Sequence, residues 1–373
     1  MKKSLGIYVH VPFCIKKCGY CDFCSVVGKD SKYMSLYTEE LCRRIKDFAP
    51  LTEEYTVDTV YLGGGTPTLL PVRSVERIME EVNKYGISGS AEITMECNPA
   101  TADREYFSDI RSLGVNRISM GLQSAKDNEL ELLGRAHGVK DFICCFEHAR
   151  STGFDNISAD LMYGIPDQTM DSFRYSLEFL CDLSPEHISS YGLSIEEGTY
   201  FHRHLSELKI ADDDMQASMY SMMCEYLSHR GYHRYEVSNF SKAGRESRHN
   251  TRYWTGLDYI GFGVAAHSCF DGVRFGNSRD IDAFLRGEDI TEERYSLDEE
   301  ERRKEYVMLG MRMERGIDLS EYEKRFGRAF PASSETVQKY VSGGFLKLDG
   351  ERMRFTEKGF LVSNVILADL MEL

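Results

Sequence analysis

The chain has 373 residues, 42% of them hydrophobic and 12% aromatic, enough apolar material for one large domain and one small one. Its 60 acidic residues outnumber 45 Lys and Arg, and the formal net charge of −15 excludes a general nucleic-acid binder, which needs a basic footprint. No apolar run of about eighteen residues marks a membrane-crossing helix, and Met1-Lys2-Lys3-Ser4-Leu5 leads directly into a strand, so neither an integral membrane segment nor a signal peptide is expected.

In chain order, short β-branched or apolar runs between turn residues predict strands at Gly6–Val11, Thr59–Leu62, Ala91–Glu96, Asn116–Leu122, Asn156–Tyr163 and His187–Leu193. Helical periodicity fills the intervals at about Lys32–Phe48, Val72–Tyr85, Asp103–Leu113, Asp127–Thr152 (broken near Gly138) and Met170–Leu183. Alternating strands and helices imply an α/β fold with a parallel sheet. Six such units suggest a partial (β/α)6 barrel; a doubly wound open sheet is the competitor. Residues 200–295 are less regular, with a helix over Asp212–Arg230 and then a Gly- and aromatic-rich stretch, Tyr232–Gly276. Ser296-Leu297-Asp298-Glu299 has the look of a capping box. It opens a small C-terminal helical domain with a hairpin, Phe345–Leu348 and Met353–Thr356 about Asp349-Gly350, a winged-helix-like order. The expected domains are a core over 1–230, a connecting region over 231–295 and a C-terminal domain over 296–373.

The chemistry concentrates first in Tyr8-Val-His-Val-Pro-Phe-Cys14-Ile-Lys-Lys-Cys18-Gly-Tyr-Cys21. Three thiolates on one tight loop can hold three irons of a [4Fe–4S] cluster, and the fourth iron is then open to a small molecule, whereas such clusters are normally held by four cysteines. A zinc knuckle uses clustered Cys as two separated pairs, and no second pair follows here. The chain has 11 cysteines, an odd number, which argues against a disulfide framework and for a reducing, cytoplasmic setting. Cys24 is read as a bystander, because its ligation would close the open iron.

In parallel barrels ligands sit at the C-terminal ends of the strands. There the sequence places Gly63-Gly64-Gly65-Thr66-Pro67-Thr68, Glu96, Gln123, Arg135, Asp160 and Tyr191. The glycine run lacks both the dinucleotide-fold and P-loop spacings. It reads either as a tight turn or as a backbone edge open to the amino group of a ligand. Glu96 reads alternatively as a solvated strand-end charge, and Arg135 with Asp160 as a plain buried ion pair.

Taken together these motifs resemble the radical S-adenosylmethionine superfamily, and within it the branch of oxygen-independent coproporphyrinogen oxidase and its relatives, over nearly the whole chain. The resemblance implies a [4Fe–4S] cluster on Cys14, Cys18 and Cys21, with S-adenosylmethionine on the open iron. Gly65 and Thr66 would approach its methionine part. Glu96, Gln123, Arg135 and Asp160 would hold its polar groups, Tyr191 would join them, and Tyr8 would sit over the cluster. One electron from the reduced cluster would cleave a carbon–sulfur bond of the sulfonium, the protein orienting the cofactor and excluding water.

Within the branch, the resemblance is to the heme chaperone group more than to the decarboxylase that makes protoporphyrinogen IX. Only 13 residues precede Cys14, Phe23 stands where the decarboxylase has a further Cys, and His249-Asn250-Thr-Arg-Tyr253-Trp254 matches the H-N-x-x-Y-W motif of the chaperones. That motif makes His249 the candidate heme ligand, Tyr253 and Trp254 stacking residues, and Arg245, Arg248 and Arg252 propionate partners. A radical methyltransferase or cyclopropanase acting on another substrate is a further alternative. The implied partners are heme or a porphyrin, a one-electron donor such as flavodoxin or ferredoxin, and a heme-accepting cytochrome or oxidase, with any membrane association peripheral and through a partner.

Overall fold

The structure, a computed structural model, describes residues 2–373; Met1, first residue of the expected core, lies outside them. Six parallel strands form in chain order: β1 (Lys3–Val11), β2 (Tyr55–Gly64), β3 (Ile87–Cys97), β4 (Arg117–Gln123), β5 (Ile157–Tyr163) and β6 (His187–Gly192). Between them run α1 (Ser31–Phe48), α2 (Val72–Asn83), α3 (Arg104–Ser112), α4 (Asp127–Leu133), α5 (Val139–Ser151) and α6 (Met170–Leu183). The strands lie side by side in sequential order. A doubly wound sheet would reverse direction at a switch point, and there is none. The result is the open (β/α)6 arrangement, part of a mixed twelve-stranded sheet that does not close.

Alternation along the strands makes two unlike faces. Leu5, Ile7, Val9, Val60, Met95, Ile118, Met120, Ala159 and Ile188 are buried on one face. The other face carries Tyr8, Tyr61, Thr94 and Arg117 in one register row, and Glu96, Ser119, Ser158 and His187 in the next. Helices cover the apolar face, as in most parallel sheets. The polar face lines the concave side and is where ligand chemistry can be built. The predicted helix from Asp127 to Thr152 is two helices, because Gly134 takes a left-handed turn (φ 74°) and ends α4.

The stretch expected as an irregular connection instead contributes six short strands to the edges of the sheet. Tyr259–Phe262 pairs parallel with β1 and is followed outward by His267–Phe270, Val273–Asn277 and Thr291–Ser296. Asn239–Ser241 and His233–Arg234 extend the opposite edge beyond β6. These strands are two to six residues long and interrupted by glycine, too short for a period-two signal. At the C-terminus, helices Glu299–Met311, Leu319–Phe326 and Glu335–Ser342 lead into the hairpin Leu346–Asp349 and Arg352–Phe355, which pairs further with Ile317–Asp318. An ion pair between Arg234 and Glu314 and a bridge between Glu236 and Met313 dock this part on the core.

Candidate functional site

A single cleft at the C-terminal ends of the strands is lined by Cys14, Cys18, Cys21, Gly65, Thr66, Glu96, Gln123, Arg135 and Asp160. Sequence reasoning named all nine. It missed Tyr20, Ser119 and Gly121, which also face the cleft; Ser119 had a signal, since it lies two residues past Arg117 on the polar face of β4.

The cysteine loop is clamped at its middle. The Gly19 amide donates to the Leu133 carbonyl (2.9 Å) and the Phe201 amide donates to the Gly19 carbonyl (2.9 Å). The left-handed turn at Gly134 then swings Arg135 inward, where its guanidinium donates to the Gly121 carbonyl (3.1 Å) and lies 3.6 Å from the Cys18 sulfur. Burial pushes the Cys14 and Cys21 thiols upward, so both are neutral until something displaces their protons. The three sulfurs share the cleft without converging on one point, and among the described residues no trio of His, Cys, Asp or Glu is placed to hold a single ion. The donor chemistry fits an iron–sulfur group with a carboxylate-bearing ligand: three thiols, a guanidinium beside one of them, and a buried Arg135 Nε with no partner. Cys24 is turned away; its sulfur lies near the Arg279 carbonyl (3.8 Å) and its own carbonyl bonds His10 Nε2 (2.9 Å).

At the three glycines that close and follow β2, the space a side chain would take is filled by the protein itself. A Cβ on Gly63 would stand 3.0 Å from a Glu96 oxygen, on Gly64 2.5 Å from the His10 ring, and on Gly65 2.6 Å from the Phe13 carbonyl. Their bareness lets the cysteine loop and Glu96 approach, while the backbone of Gly64 and Gly65 still lines the cleft.

Glu96 accepts hydrogen bonds from the Tyr61 hydroxyl (2.8 Å) and the Gly64 amide (3.0 Å). Burial outweighs both and pushes its carboxyl up to about 7, from an ordinary 4.5. Asp160 is pushed up to about 6, again by burial, against a hydrogen bond from Ser189. No ion pair joins it to Arg135, so the plain ion-pair reading fails. Carboxyls raised in the fold are bound more tightly by protons when native. The stability linked to Glu96 is complete below about pH 4.5 and lost as pH rises through about 7, and that linked to Asp160 is lost as pH rises through about 6. In ligand-free protein, Glu96→Gln is therefore expected to gain in melting temperature relative to wild type as pH rises through that window. A constant difference from pH 4.5 to 8 would refute the assignment.

Two expected contributors stand apart. Tyr8 lies beneath the cleft floor, stacked on Tyr61 at 6.1 Å with its hydroxyl 3.0 Å from His10 Nδ1. Tyr191, next to last in β6, does not line the cleft, although its hydroxyl is pushed up by burial and by the nearby charge of Asp160.

His249 is placed at the other end of the barrel. The helix Arg248–Thr255 enters at the N-terminal ends of the strands, and Glu92 accepts the amides of Arg248 (3.1 Å) and His249 (3.0 Å). The imidazole is fully buried, with Nδ1 2.9 Å from the Thr59 hydroxyl and Nε2 2.8 Å from that of Tyr253. Burial, then Arg252 and Arg117, push it down to about 3, so it is neutral. Both nitrogens are engaged and the ring stacks on Tyr61 at 5.2 Å. The expectation of an axial ligand at His249 is thus corrected: in this conformation it offers iron no free nitrogen. Nor are the expected propionate partners free. Arg252 is buried against Asp58 and Ser4, Arg248 donates to the Ser90 carbonyl (2.6 Å), and Arg245 pairs with Asp155 (3.5 Å). His249→Ala is expected to cost about 2–4 kcal/mol in a urea melt, since two buried hydroxyls lose their partner. A cost under about 0.5 kcal/mol would mean the ring is not so held.

Comparison with known proteins decides the family. The Radical SAM superfamily pattern matches residues 8–180, and the HemN C-terminal domain pattern matches residues 297–362. The chain is 32% identical to the heme chaperone HemW of Bacillus subtilis, over 96% of this chain and 97% of that one. It is 31% identical to that of Escherichia coli, over 97% of each. This chain belongs to the HemW group of the radical S-adenosylmethionine superfamily. The HemW of Synechocystis is 36% identical over 83% of this chain and 78% of that protein. Among solved structures, coproporphyrinogen III oxidase (HemN) from Escherichia coli superposes with a TM-score of 0.87 at 22% identity, covering 99% of this chain and 90% of that one, which shows a shared fold. Membership of the HemW group carries the expectation of a [4Fe–4S] cluster and S-adenosylmethionine. No helix among the described residues is long and apolar enough to cross a membrane.

Proposed function

We propose that this protein is a heme chaperone: it carries a [4Fe–4S] cluster on Cys14, Cys18 and Cys21, binds S-adenosylmethionine in the same cleft, and binds heme for delivery to hemoproteins. The observation that carries this reading is the match, over 96–97% of this chain and 97% of each relative, to heme chaperones at 31–32% identity. When bound, the cluster supplies the single electron that cleaves the sulfonium. The protein's own groups do the rest. Thr66 and Arg135 face the sulfurs of Cys14 and Cys18 at 3.8 and 3.6 Å. Glu96, held by Tyr61 and the Gly64 amide, and Asp160 present acceptors to an amino group or ribose hydroxyls, and the unpartnered Arg135 Nε presents a donor to a carboxylate.

The reading is tested with anaerobically reconstituted protein titrated with hemin and, separately, incubated with coproporphyrinogen III, S-adenosylmethionine and a reductant. Saturable, near-stoichiometric change in the Soret band with no protoporphyrinogen is expected. Efficient decarboxylation would overturn the chaperone in favour of the enzyme.

A further inference from the structure

A second pocket lies at the barrel end opposite the cysteine cleft, between the last turn of the helix Arg248–Thr255 and the C-terminal domain. Trp254, the only tryptophan of the chain, and Tyr306 form part of its wall. Arg302, Arg315 and Arg325 stand around it, and among the described residues none of the three has a carboxylate within ion-pair distance; Arg325 lies over the Tyr306 ring at 5.6 Å. The acids at this pocket are mostly spent. Glu305 pairs with Arg274 (2.5 Å), and Asp318 pairs with Arg352 (3.3 Å) while capping the helix Leu319–Phe326. Only Glu321 is left unpaired there. In a chain of net charge −15, a pocket with aromatic walls and an excess of free guanidinium groups is built for an anion with a flat face.

We propose that this pocket takes a tetrapyrrole bearing two carboxylates, the ring against Trp254 and Tyr306 and the carboxylates on Arg302, Arg315 and Arg325. The inference rests on the heme-binding reading above and adds where heme is held. Its consequence is mechanistic. A substrate for radical chemistry must lie against the cluster, whereas a macrocycle in this pocket is separated from the cleft by the barrel and the buried His249–Tyr61 stack. Heme held there is stored, not transformed, and the two ligands occupy the protein together.

The full-length, reconstituted protein is titrated with hemin and with hemin dimethyl ester, which keeps the ring and lacks the charges. Wild type is expected to bind hemin saturably and the ester far more weakly. Arg315→Ala with Arg325→Ala should weaken hemin binding by roughly tenfold per lost charge-assisted hydrogen bond and leave ester binding unchanged. The paired Arg→Lys variant should recover most of the loss, and the brown cluster absorbance should be untouched in both. If wild type binds no hemin, the heme-binding reading itself fails and the pocket assignment with it. If wild type binds hemin and the alanine variant binds equally well, the pocket assignment alone is overturned.

Discussion

Cys18→Ala is expected to yield a folded protein that takes up almost no iron after anaerobic reconstitution. Cys18 is the central thiol of the loop, and the backbone around it is pinned independently of its side chain, through the Gly19 amide to the Leu133 carbonyl and the Gly19 carbonyl to the Phe201 amide. The substitution therefore removes a ligand without removing the loop. Loss even of groups that merely orient a ligand costs about 10–100-fold in metal affinity, so loss of one of three ligands should cost more. It also leaves the Arg135 guanidinium, 3.6 Å from that sulfur, facing a cavity with no negative charge to meet. Iron and acid-labile sulfide per chain, measured beside the visible absorbance, should fall below about a tenth of wild type. Cys24→Ala is the control and should retain the cluster, because Cys24 faces the Arg279 carbonyl and not the cleft. Full retention in Cys18→Ala would sink the three-cysteine assignment; loss in Cys24→Ala would make the site a four-cysteine one.

How much of this was legible in the chain depends on the range of the interactions involved. The six barrel strands announce themselves through local apolar runs, and the strand-end rule then gathers Cys14, Cys18, Cys21, Thr66, Glu96, Gln123, Arg135 and Asp160 at one rim without any structure. What stayed hidden is long-range. The N-terminal halves of β2 and β3 alternate polar and apolar residues, so an apolar window saw only their ends. The edge strands beyond β1 are recognisable only by their partner. His249 is visible as a motif residue, yet what decides its chemistry is the Thr59 hydroxyl, 190 residues away, and the ring of Tyr61. Glu92 gave no hint that it caps a helix arriving from the far side of the sequence. The glycine run shows the same limit from the other direction: only the fold shows that His10, Phe13 and Glu96 fill the space a side chain would take, while Gly64 and Gly65 keep their backbone on the cleft.

That last point leads to the second large effect. Gly65→Ala is expected to destabilise the protein by about 1–3 kcal/mol and to disable the cleft, although the new methyl group touches no sulfur. Its Cβ would stand 2.6 Å from the Phe13 carbonyl, 3.0 Å from the Phe13 amide and 3.0 Å from the Val11 carbonyl. All three are backbone atoms, so no rotamer change relieves the contact. The Gly65 amide also donates to the Val11 carbonyl at 2.8 Å, which ties the two segments at the point of collision. The chain that must yield is Val11 to Cys14, and Cys14 supplies the first thiol of the loop. Shifting it alters where the first of the three sulfurs lies relative to the other two. Gly89→Ala is the matched control, since a Cβ there meets nothing within 4 Å. Urea melts with iron and sulfide analysis of both variants check the expectation. Stability lost with the cluster in Gly65→Ala, and neither lost in Gly89→Ala, would show that the glycine serves the cysteine loop. A Gly65→Ala protein with wild-type stability and a full cluster would mean that the backbone of the loop has the freedom this packing denies it.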